Sequence, residues 1–184
     1  MRLFVTTAYT SNEQLEQKAL QLAQELGCLS IPRNRRSIAR ILQSYEADQV
    51  LVVTSDGMDL HMKGSTGPLR FHPGMAYLRV QRLLEGVGDP LVAATGAQPG
   101  DHILDCTAGL ASDAIVLAHV VGEAGSVVAL ESEVALARLV QAGLRTYESM
   151  VAAVDEAMRR VELRLADHRT VLAEMKDDSV ASGR

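Results

Sequence analysis

Aromatic residues make up only 3% of the 184 residues, and tryptophan is absent. A surface that binds single-stranded RNA by stacking needs exposed aromatic rings, so such a platform is excluded as the main binding surface. No apolar run approaches the roughly 20 residues of a membrane span. The first residues, Met1-Arg2-Leu3-Phe4-Val5, turn polar before they build a signal-peptide core. We therefore expect a cytoplasmic protein without a membrane segment.

The chain also lacks an excess of positive charge and a metal-binding cysteine pattern. Its formal net charge is −5 and its pI is about 5.5, so overall electrostatics do not favour nucleic acid. Cys28 and Cys106 match no zinc spacing, and we predict no metal site. The densest positive charge is Arg33-Asn34-Arg35-Arg36. This segment either holds RNA phosphates or is a solvated loop.

The second half of the chain alternates apolar strands with amphipathic helices. Strands are predicted at 102–105, 126–131 and 161–166, and helices at 112–121, 133–146 and 151–160. Alternation of this kind builds a parallel sheet, here with the strands in the order third, second, first. The predicted fold class is α/β with a Rossmann-like sheet, of which this chain holds the first half.

The first half of the chain has the pattern of a small α/β region. A strand at 3–7 precedes a helix capped by Thr10 or Ser11, Ser37 caps a second helix, and Ser55-Asp56-Gly57 predicts a hairpin. The predicted domains are a small α/β region at 1–69, a helical connector at 70–100 and a cofactor-binding domain at 101–184.

Three acids follow the three predicted parallel strands: Asp105, Glu131 and Asp167. The carboxyl ends of parallel strands meet at one edge of the sheet, where ligands of such folds bind. An acid after the second strand is suited to the two hydroxyls of a ribose. The alternative at the first corner is that its acids only cap, and the alternative for Glu131 is a solvated acid at a strand end. Taken together, the three acids predict a nucleoside-cofactor site.

The loop after Asp105 lacks the Gly-x-Gly-x-x-Gly pattern that accommodates a pyrophosphate, which argues against NAD. S-adenosylmethionine (SAM) carries no phosphate, and its ammonium and sulfonium groups are better matched by acids. SAM is thus the predicted cofactor. No catalytic residue is assigned. The cofactor-binding residues predicted from these positions are Asp105, Thr107, Gly109, Asp113, Glu131, Asp167 and His168.

Several other polar residues admit two interpretations each. His72, near a predicted helix start, is either a capping or packing residue or a catalytic one. Arg79 and Arg82 share a helix face and would contact either RNA or a carboxylate. Cys106 is interpreted as a small buried side chain rather than a reactive thiol.

Four segments carry a resemblance to a known family. They resemble class I SAM-dependent methyltransferases, and more narrowly the group of ribosomal small subunit methyltransferase J and its Gram-positive relatives. The resemblance implies transfer of a methyl group from SAM to guanine N2 of small-subunit ribosomal RNA. Carried over by position, it also implies cofactor contacts by Ser112-Asp113, Glu131-Ser132 and Asp167-His168. The hairpin and the Phe71-His-Pro segment are also similar to that group. The four segments are Leu104-Asp-Cys-Thr-Ala-Gly-Leu-Ala-Ser-Asp-Ala114, Leu130-Glu-Ser-Glu133, Gln141-Ala-Gly-Leu144 and Leu165-Ala-Asp-His168.

The sequence departs from the group at two points. Ala111 stands where most class I enzymes have a second loop glycine. The group's fourth-strand Asp-Pro-Met-Phe motif is absent, although 176–180 has the pattern of an approach to that strand. The expectation is a truncated chain that binds SAM weakly and does not transfer methyl groups. Strand 102–105 would then be an exposed edge through which a homodimer forms. The alternatives are a non-catalytic nucleoside- or partner-binding module and an NAD-linked oxidoreductase.

Overall fold

The computed structural model describes residues 1–175, which form two compact units, Met1–Phe71 and the part that begins at His72. No helix in this described part is both long enough and apolar enough to cross a bilayer. The predicted approach to a fourth strand, at 176–180, lies outside the described residues. The three-domain division stays a prediction.

Unit 1 is a five-stranded sheet with two helices. Its sheet has the order β2-β1-β3-β4-β5, in which β1 is parallel to β2 and β3, and β4 is antiparallel to β3 and β5. The predicted hairpin is observed between β3 and β4, but Gly57 pairs with Thr54 and belongs to β4 rather than to the turn. Its elements are β1 (Leu3–Thr7), α1 (Glu13–Glu25), β2 (Leu29–Ser30), α2 (Ile38–Ser44), β3 (Gln49–Thr54), β4 (Gly57–Met62) and β5 (Leu69–Arg70).

The predicted cap of α1 is wrong. Neither Thr10 nor Ser11 caps the helix; the cap is Asn12, whose side chain accepts a hydrogen bond from the backbone N–H of Leu15 at 2.9 Å. All three residue types are good caps, so composition does not choose among neighbours. Ser37 does cap α2, through the N–H of Arg40.

Unit 2 is a three-stranded parallel sheet with six helices in the described residues. The strand order is β6-β7-β8, as predicted, and the last strand ends one residue earlier than predicted. The edge strand β6 is the one for which self-association was expected, and that dimer stays a prediction. The elements are α3 (Gly74–Leu84), α4 (Pro90–Thr95), β6 (His102–Asp105), α5 (Ser112–Val121), β7 (Ser126–Glu131), α6 (Val134–Thr146), α7 (Ala152–Arg160), β8 (Val161–Leu165) and α8 (His168–Glu174).

Helix α5 is the centre of the unit 2 core. Six of its ten residues are buried. A helix that is apolar on most sides packs against neighbours on several faces, and α5 contacts α3, α4, α7 and all three strands. The start of this fixed helix follows the β6 loop directly. The packing therefore holds the loop and the first turn of α5 in place beside the carboxyl ends of β6 and β7.

Candidate cofactor site

The loop from β6 to α5 folds around the carboxylate of Asp105. The backbone N–H of Thr107 donates to Oδ1 of Asp105 at 2.9 Å. One residue further, the N–H of Ala108 donates to the carbonyl of Leu130 in β7 at 2.8 Å. These two bonds turn the chain back over the ends of β6 and β7. The loop backbone is thereby placed above the sheet edge.

Two residues of the loop have positive φ. Gly109 has a φ of 51°, which glycine adopts at little cost. Ala111 has a φ of 62° at the residue before α5, in the left-handed region. Left-handed backbone costs an L-residue roughly 1 kcal/mol. Ala111, where most class I enzymes have a glycine, thus lies at a position whose backbone conformation favours glycine. The alanine adopts that left-handed conformation here.

Glu131, at the end of β7, bonds to the same loop. Its Oε2 accepts from the N–H of Gly109 at 3.3 Å, and its Oε1 accepts from the N–H of Glu133 at 2.8 Å. An ionised carboxylate offers about four lone-pair sites, so two bonds leave room for two hydroxyl donors. The structure therefore brings the Asp105 loop and Glu131 together, as sequence reasoning expects.

The Asp105 carboxyl is half-buried, and burial raises its pKa above the usual range for aspartate. The hydrogen bond from Thr107 lowers the pKa, while the charge of Asp113 raises it further. A buried negative charge without a cation beside it is costly. A cationic ligand at this edge would relieve that cost.

Ser112, the first residue of α5, supplies a direct test of whether a cofactor fits. Its Oγ is buried and has no hydrogen-bond partner among the described residues. Buried polar atoms are almost always bonded, and exceptions call for an explanation such as a ligand. The backbone N–H groups at the start of a helix are also without partners inside the helix. A ligand with a carboxylate and an ammonium group, as in SAM, fits this donor and acceptor set.

Asp113 is held by an ion-pair network that the sequence analysis did not find. Nη1 of Arg79 lies 2.6 Å from Oδ1 of Asp113, and Nε and Nη2 of the same guanidinium bind Asp89 at 2.7 and 2.8 Å. The side chain of Arg79 is 18% exposed and that of Asp89 is 5% exposed. Of the two interpretations of Arg79, the carboxylate contact is the one observed. The Asp89-Pro90 pair marks the start of α4, but no local sequence pattern joins it to Arg79.

Asp167 lies at the same sheet edge but has its own partner. Leu165 pairs with Glu131, which places Asp167 just beyond the end of β7. Both of its oxygens contact the guanidinium of Arg169, and Oδ1 also accepts from the Arg169 N–H at 2.9 Å. These bonds lower the pKa of Asp167 to about 2. Asp167 is thus the cap of α8 as well as a predicted ligand.

The remaining predicted residues are placed as follows. Thr107, Ser132 and His168 are exposed, the first in the β6–α5 loop and the other two just after β7 and β8. His72 is not in this cluster. Its Nδ1 accepts from the N–H of Gly74 at the start of α3, and its ring packs on Tyr147 at 5.4 Å between centroids. The capping and packing interpretation of His72 is therefore the one observed.

Comparison with known proteins decides the family. A family model described as "Putative SAM-dependent methyltransferase" matches residues 36–181. The chain belongs to this family. Its cofactor is SAM, so the NAD alternative is wrong. The protein YpiP of Bacillus subtilis (strain 168) is 36% identical over 176 residues, which is 96% of this chain and 68% of YpiP.

The fold has a solved counterpart. A SAM-dependent methyltransferase from Neisseria gonorrhoeae superposes with a TM-score of 0.57 at 18% identity. The match covers 94% of this chain and 66% of that protein. The Rossmann-like fold class is confirmed. The chain spans about two thirds of the length of both relatives.

Proposed function

We propose that the edge formed by Asp105, the 106–111 loop, Ser112 and Glu131 binds SAM, and that the protein methylates small-subunit ribosomal RNA at guanine N2. The observation that carries the binding site is that one loop donates to both acids: the N–H of Thr107 donates to Asp105, and the N–H of Gly109 donates to Glu131. Membership of the family identifies SAM as the cofactor. The acceptor is supported by the resemblance to the ribosomal methyltransferase J group. An RNA acceptor would place the protein in the cytoplasm.

Each residue has a specific proposed part. Glu131 accepts hydrogen bonds from the two ribose hydroxyls, since it keeps free lone pairs beside its bonds to Gly109 and Glu133. Ser112 and the N–H groups of the first turn of α5 meet the carboxylate of the methionine part. Asp105 lies near the ammonium group, whose charge offsets the burial of the carboxyl.

Asp167, with Ser132 and His168 nearby, is the proposed contact for the adenine end. Its oxygens already bind Arg169, so an adenine amino group would share the carboxylate with that guanidinium. We therefore propose a smaller share of the affinity for Asp167 than for Glu131. Thr107 and Gly109 contribute backbone to the loop, and Asp113 stays paired with Arg79 while its second oxygen faces solvent or ligand.

When bound, SAM supplies a methyl group made electrophilic by the adjacent sulfonium. The chemistry it would supply is a methyl transfer in which the C–S bond breaks as the C–N bond forms and the acceptor nitrogen gives up a proton. Positioning of the two reactants accounts for most of the rate in chemistry of this kind. The residues above orient the donor and keep it at the sheet edge. No group of the described residues is assigned as the base.

The test is calorimetric titration of the full chain with S-adenosylhomocysteine, using Glu131→Gln and the matched variant Glu123→Gln. Both variants remove one negative charge. Glu123 is exposed in the turn before β7, at the opposite edge of the sheet, and is therefore outside the proposed site. We expect Glu131→Gln to weaken binding about tenfold or more, as for loss of a charge-assisted hydrogen bond. Glu123→Gln should bind as the parent does. Equal affinities for all three proteins would contradict the proposed site.

Acceptor identity needs a second measurement. The chain, and a version extended at its carboxyl end with the group's fourth-strand Asp-Pro-Met-Phe segment, are each incubated with labelled SAM and small-subunit ribosomal RNA, and the digested nucleosides are separated. We expect label in N2-methylguanosine from the extended version and none from the chain alone, because the chain alone lacks the acceptor-site motif. Binding of S-adenosylhomocysteine without any transfer of label by the extended version would favour the non-catalytic module, and label in another nucleoside would contradict the guanine N2 assignment alone.

A further inference from the structure

Unit 1 has a cavity of its own, of about 640 Å³, at the carboxyl ends of β1 and β2. Thr7, the last residue of β1, and Ser30, the last residue of β2, both line it. Strand β1 lies between β2 and β3. The connection after β1 therefore leads to β2 on one side of β1, and the connection after β2 leads to β3 on the other side. Ligands of open α/β sheets bind beside such a reversal of strand order. The volume is in the range of small-molecule sites, about 300–1,000 Å³.

The lining of this cavity is basic. Arg33 and Arg35 line it, and the acid in the lining, Glu16, already accepts a hydrogen bond from Ser11 Oγ at 3.0 Å. Asn34 and hydroxyl groups account for much of the remaining lining. Positive charge with hydroxyl and amide donors is the chemistry that recognises an oxyanion. The cavity therefore selects for a negatively charged ligand, although the whole chain has a net charge of −5.

Arg33 is the central residue of this cavity because two of its guanidinium nitrogens have no partner within the part of the chain that the structure describes. Nε and Nη1 of Arg33 are buried and have no hydrogen-bond partner among the described residues. Burial also lowers the pKa of Arg33 from its usual value. A covered guanidinium without an acceptor is costly, and its planar fork matches a phosphate better than any other side chain does. An oxyanion bound at Arg33 would remove that cost.

The neighbouring Arg36, in the same turn, differs from Arg33 because its guanidinium bonds to other groups of the protein. Its Nη2 donates to the carbonyl of Pro32 at 2.6 Å, and its Nη1 contacts the Tyr45 hydroxyl at 3.2 Å. Its backbone N–H closes the turn on the carbonyl of Arg33 at 2.9 Å, around Asn34 and Arg35 with φ of 44° and 55°. Arg36 thus fixes the turn, and Arg33 keeps unused donors.

We propose that this cavity binds the phosphate of a nucleotide, with Arg33 as the main contact. Tyr9, 60% exposed and in the lining, offers an aromatic face on which a base can stack. The nucleotide is either a free mononucleotide or one residue of an RNA strand. The site lies wholly within unit 1 and is independent of the SAM site proposed in unit 2.

The experiment titrates the full chain with guanosine 5′-monophosphate, guanosine, inorganic phosphate and a single-stranded RNA decamer. Arg33→Gln is compared with Arg40→Gln, which removes the same charge from an exposed position on α2 outside the cavity. We expect guanosine 5′-monophosphate to bind at least about tenfold tighter than guanosine, and Arg33→Gln to lose about tenfold or more. Arg40→Gln should stay within about twofold of the parent. An RNA decamer that binds tighter than the mononucleotide identifies the strand as the ligand, and equal affinity identifies the free nucleotide.

Several results would overturn the proposal. One is no detectable binding of mononucleotide or RNA at about 1 mM. Others are equal losses in the two variants, or equal affinity for guanosine and its monophosphate. Arg33→Lys, which keeps the charge and loses the fork, should bind more weakly than the parent and provides a second variant if Arg33→Gln does not fold. Unchanged S-adenosylhomocysteine affinity in Arg33→Gln separates this site from the proposed SAM site.

Discussion

At the scale of single residues, the carboxyl of Asp105 is placed for binding at the expense of stability. Burial raises its pKa, so the folded state disfavours the ionised form. The destabilisation is therefore absent at low pH, where the carboxyl is protonated in both the folded and the unfolded state, and it develops as the pH rises above the unfolded-state pKa. The residue is costly in the free protein and useful once a cation is bound.

The variant Asp105→Asn tests whether Asp105 lowers the stability of the free protein and contributes to cofactor binding. Asparagine keeps an oxygen that can accept from the N–H of Thr107, and it removes the half-buried charge. We expect unfolding by urea at pH 7 to show equal or higher stability, while calorimetry shows S-adenosylhomocysteine affinity about tenfold lower. A variant that is less stable and binds normally would contradict the assignment of Asp105 to the site.

The ion pair of Asp89 with Arg79 is a second feature at the residue scale. The hydrogen bond from Arg79 lowers the pKa of Asp89 from 3.8 to about 2. Since the folded pKa is depressed, the stabilisation is complete above about pH 4 and is lost as the pH falls from 3.8 toward 2. The shift corresponds to about 2 kcal/mol.

Asp89→Asn should therefore lower the free energy of unfolding by about 2 kcal/mol at pH 7. The amide oxygen still caps α4 at Leu91 and Val92, so the ion pair is the main loss. Asp113→Asn, at an exposed carboxylate on the same arginine, serves as control and should cost no more than about 1 kcal/mol. The measurement is urea unfolding at pH 7 and pH 3. A difference between parent and Asp89→Asn that does not shrink at pH 3 would argue against this account.

At the scale of elements, sequence periodicity located β6, β7 and α5 with their observed ends. Residues typical of turns flank each of these elements. The apolar residues within each element follow the period of a strand or helix because they are buried in the core. Strands β2 and β5 were missed because each has only two residues. Such short strands are defined by their partners in space, and no local pattern marks them.

The same distinction applies to the candidate site. Asp105 and Glu131 were predicted to meet because parallel strands bring their carboxyl ends to one edge, and the Gly109 contact is consistent with that rule. The Arg79 contacts with Asp89 and Asp113 join positions 10 and 34 residues apart. They depend on how helices pack, and a single sequence does not encode that pairing in any local pattern. Helix α8 was missed because Asp167 was assigned only as a ligand and not as a cap.

The entry into β7 depends on Gly125. A Cβ at this position would lie 2.5 Å from the carbonyl oxygen of Asp101 and 2.6 Å from Cβ of Val121. Gly125→Ala should destabilise unit 2 by about 3 kcal/mol, as overpacking of a tight contact does. Gly88→Ala is the matched control, because a Cβ there meets nothing within 4 Å. Thermal unfolding that is the same for both variants would contradict the close packing of Gly125 on α5.

At the scale of the whole molecule, the chain has two compact units, each with a sheet whose parallel strands end at a candidate ligand site. The unit 2 site includes Asp105, Glu131 and the unpartnered Ser112 hydroxyl. The unit 1 site has an unsatisfied arginine in a basic cavity.

The most direct test of the central claim is amide hydrogen exchange of the full chain with and without saturating S-adenosylhomocysteine. A bound ligand slows exchange where it blocks opening of the backbone. The account predicts added protection in peptides that cover 105–113 and 131–136, with unit 1 unchanged. Protection confined to unit 1, or to the amino ends of β6 and β7, would contradict the placement of the SAM site at the carboxyl edge of this sheet.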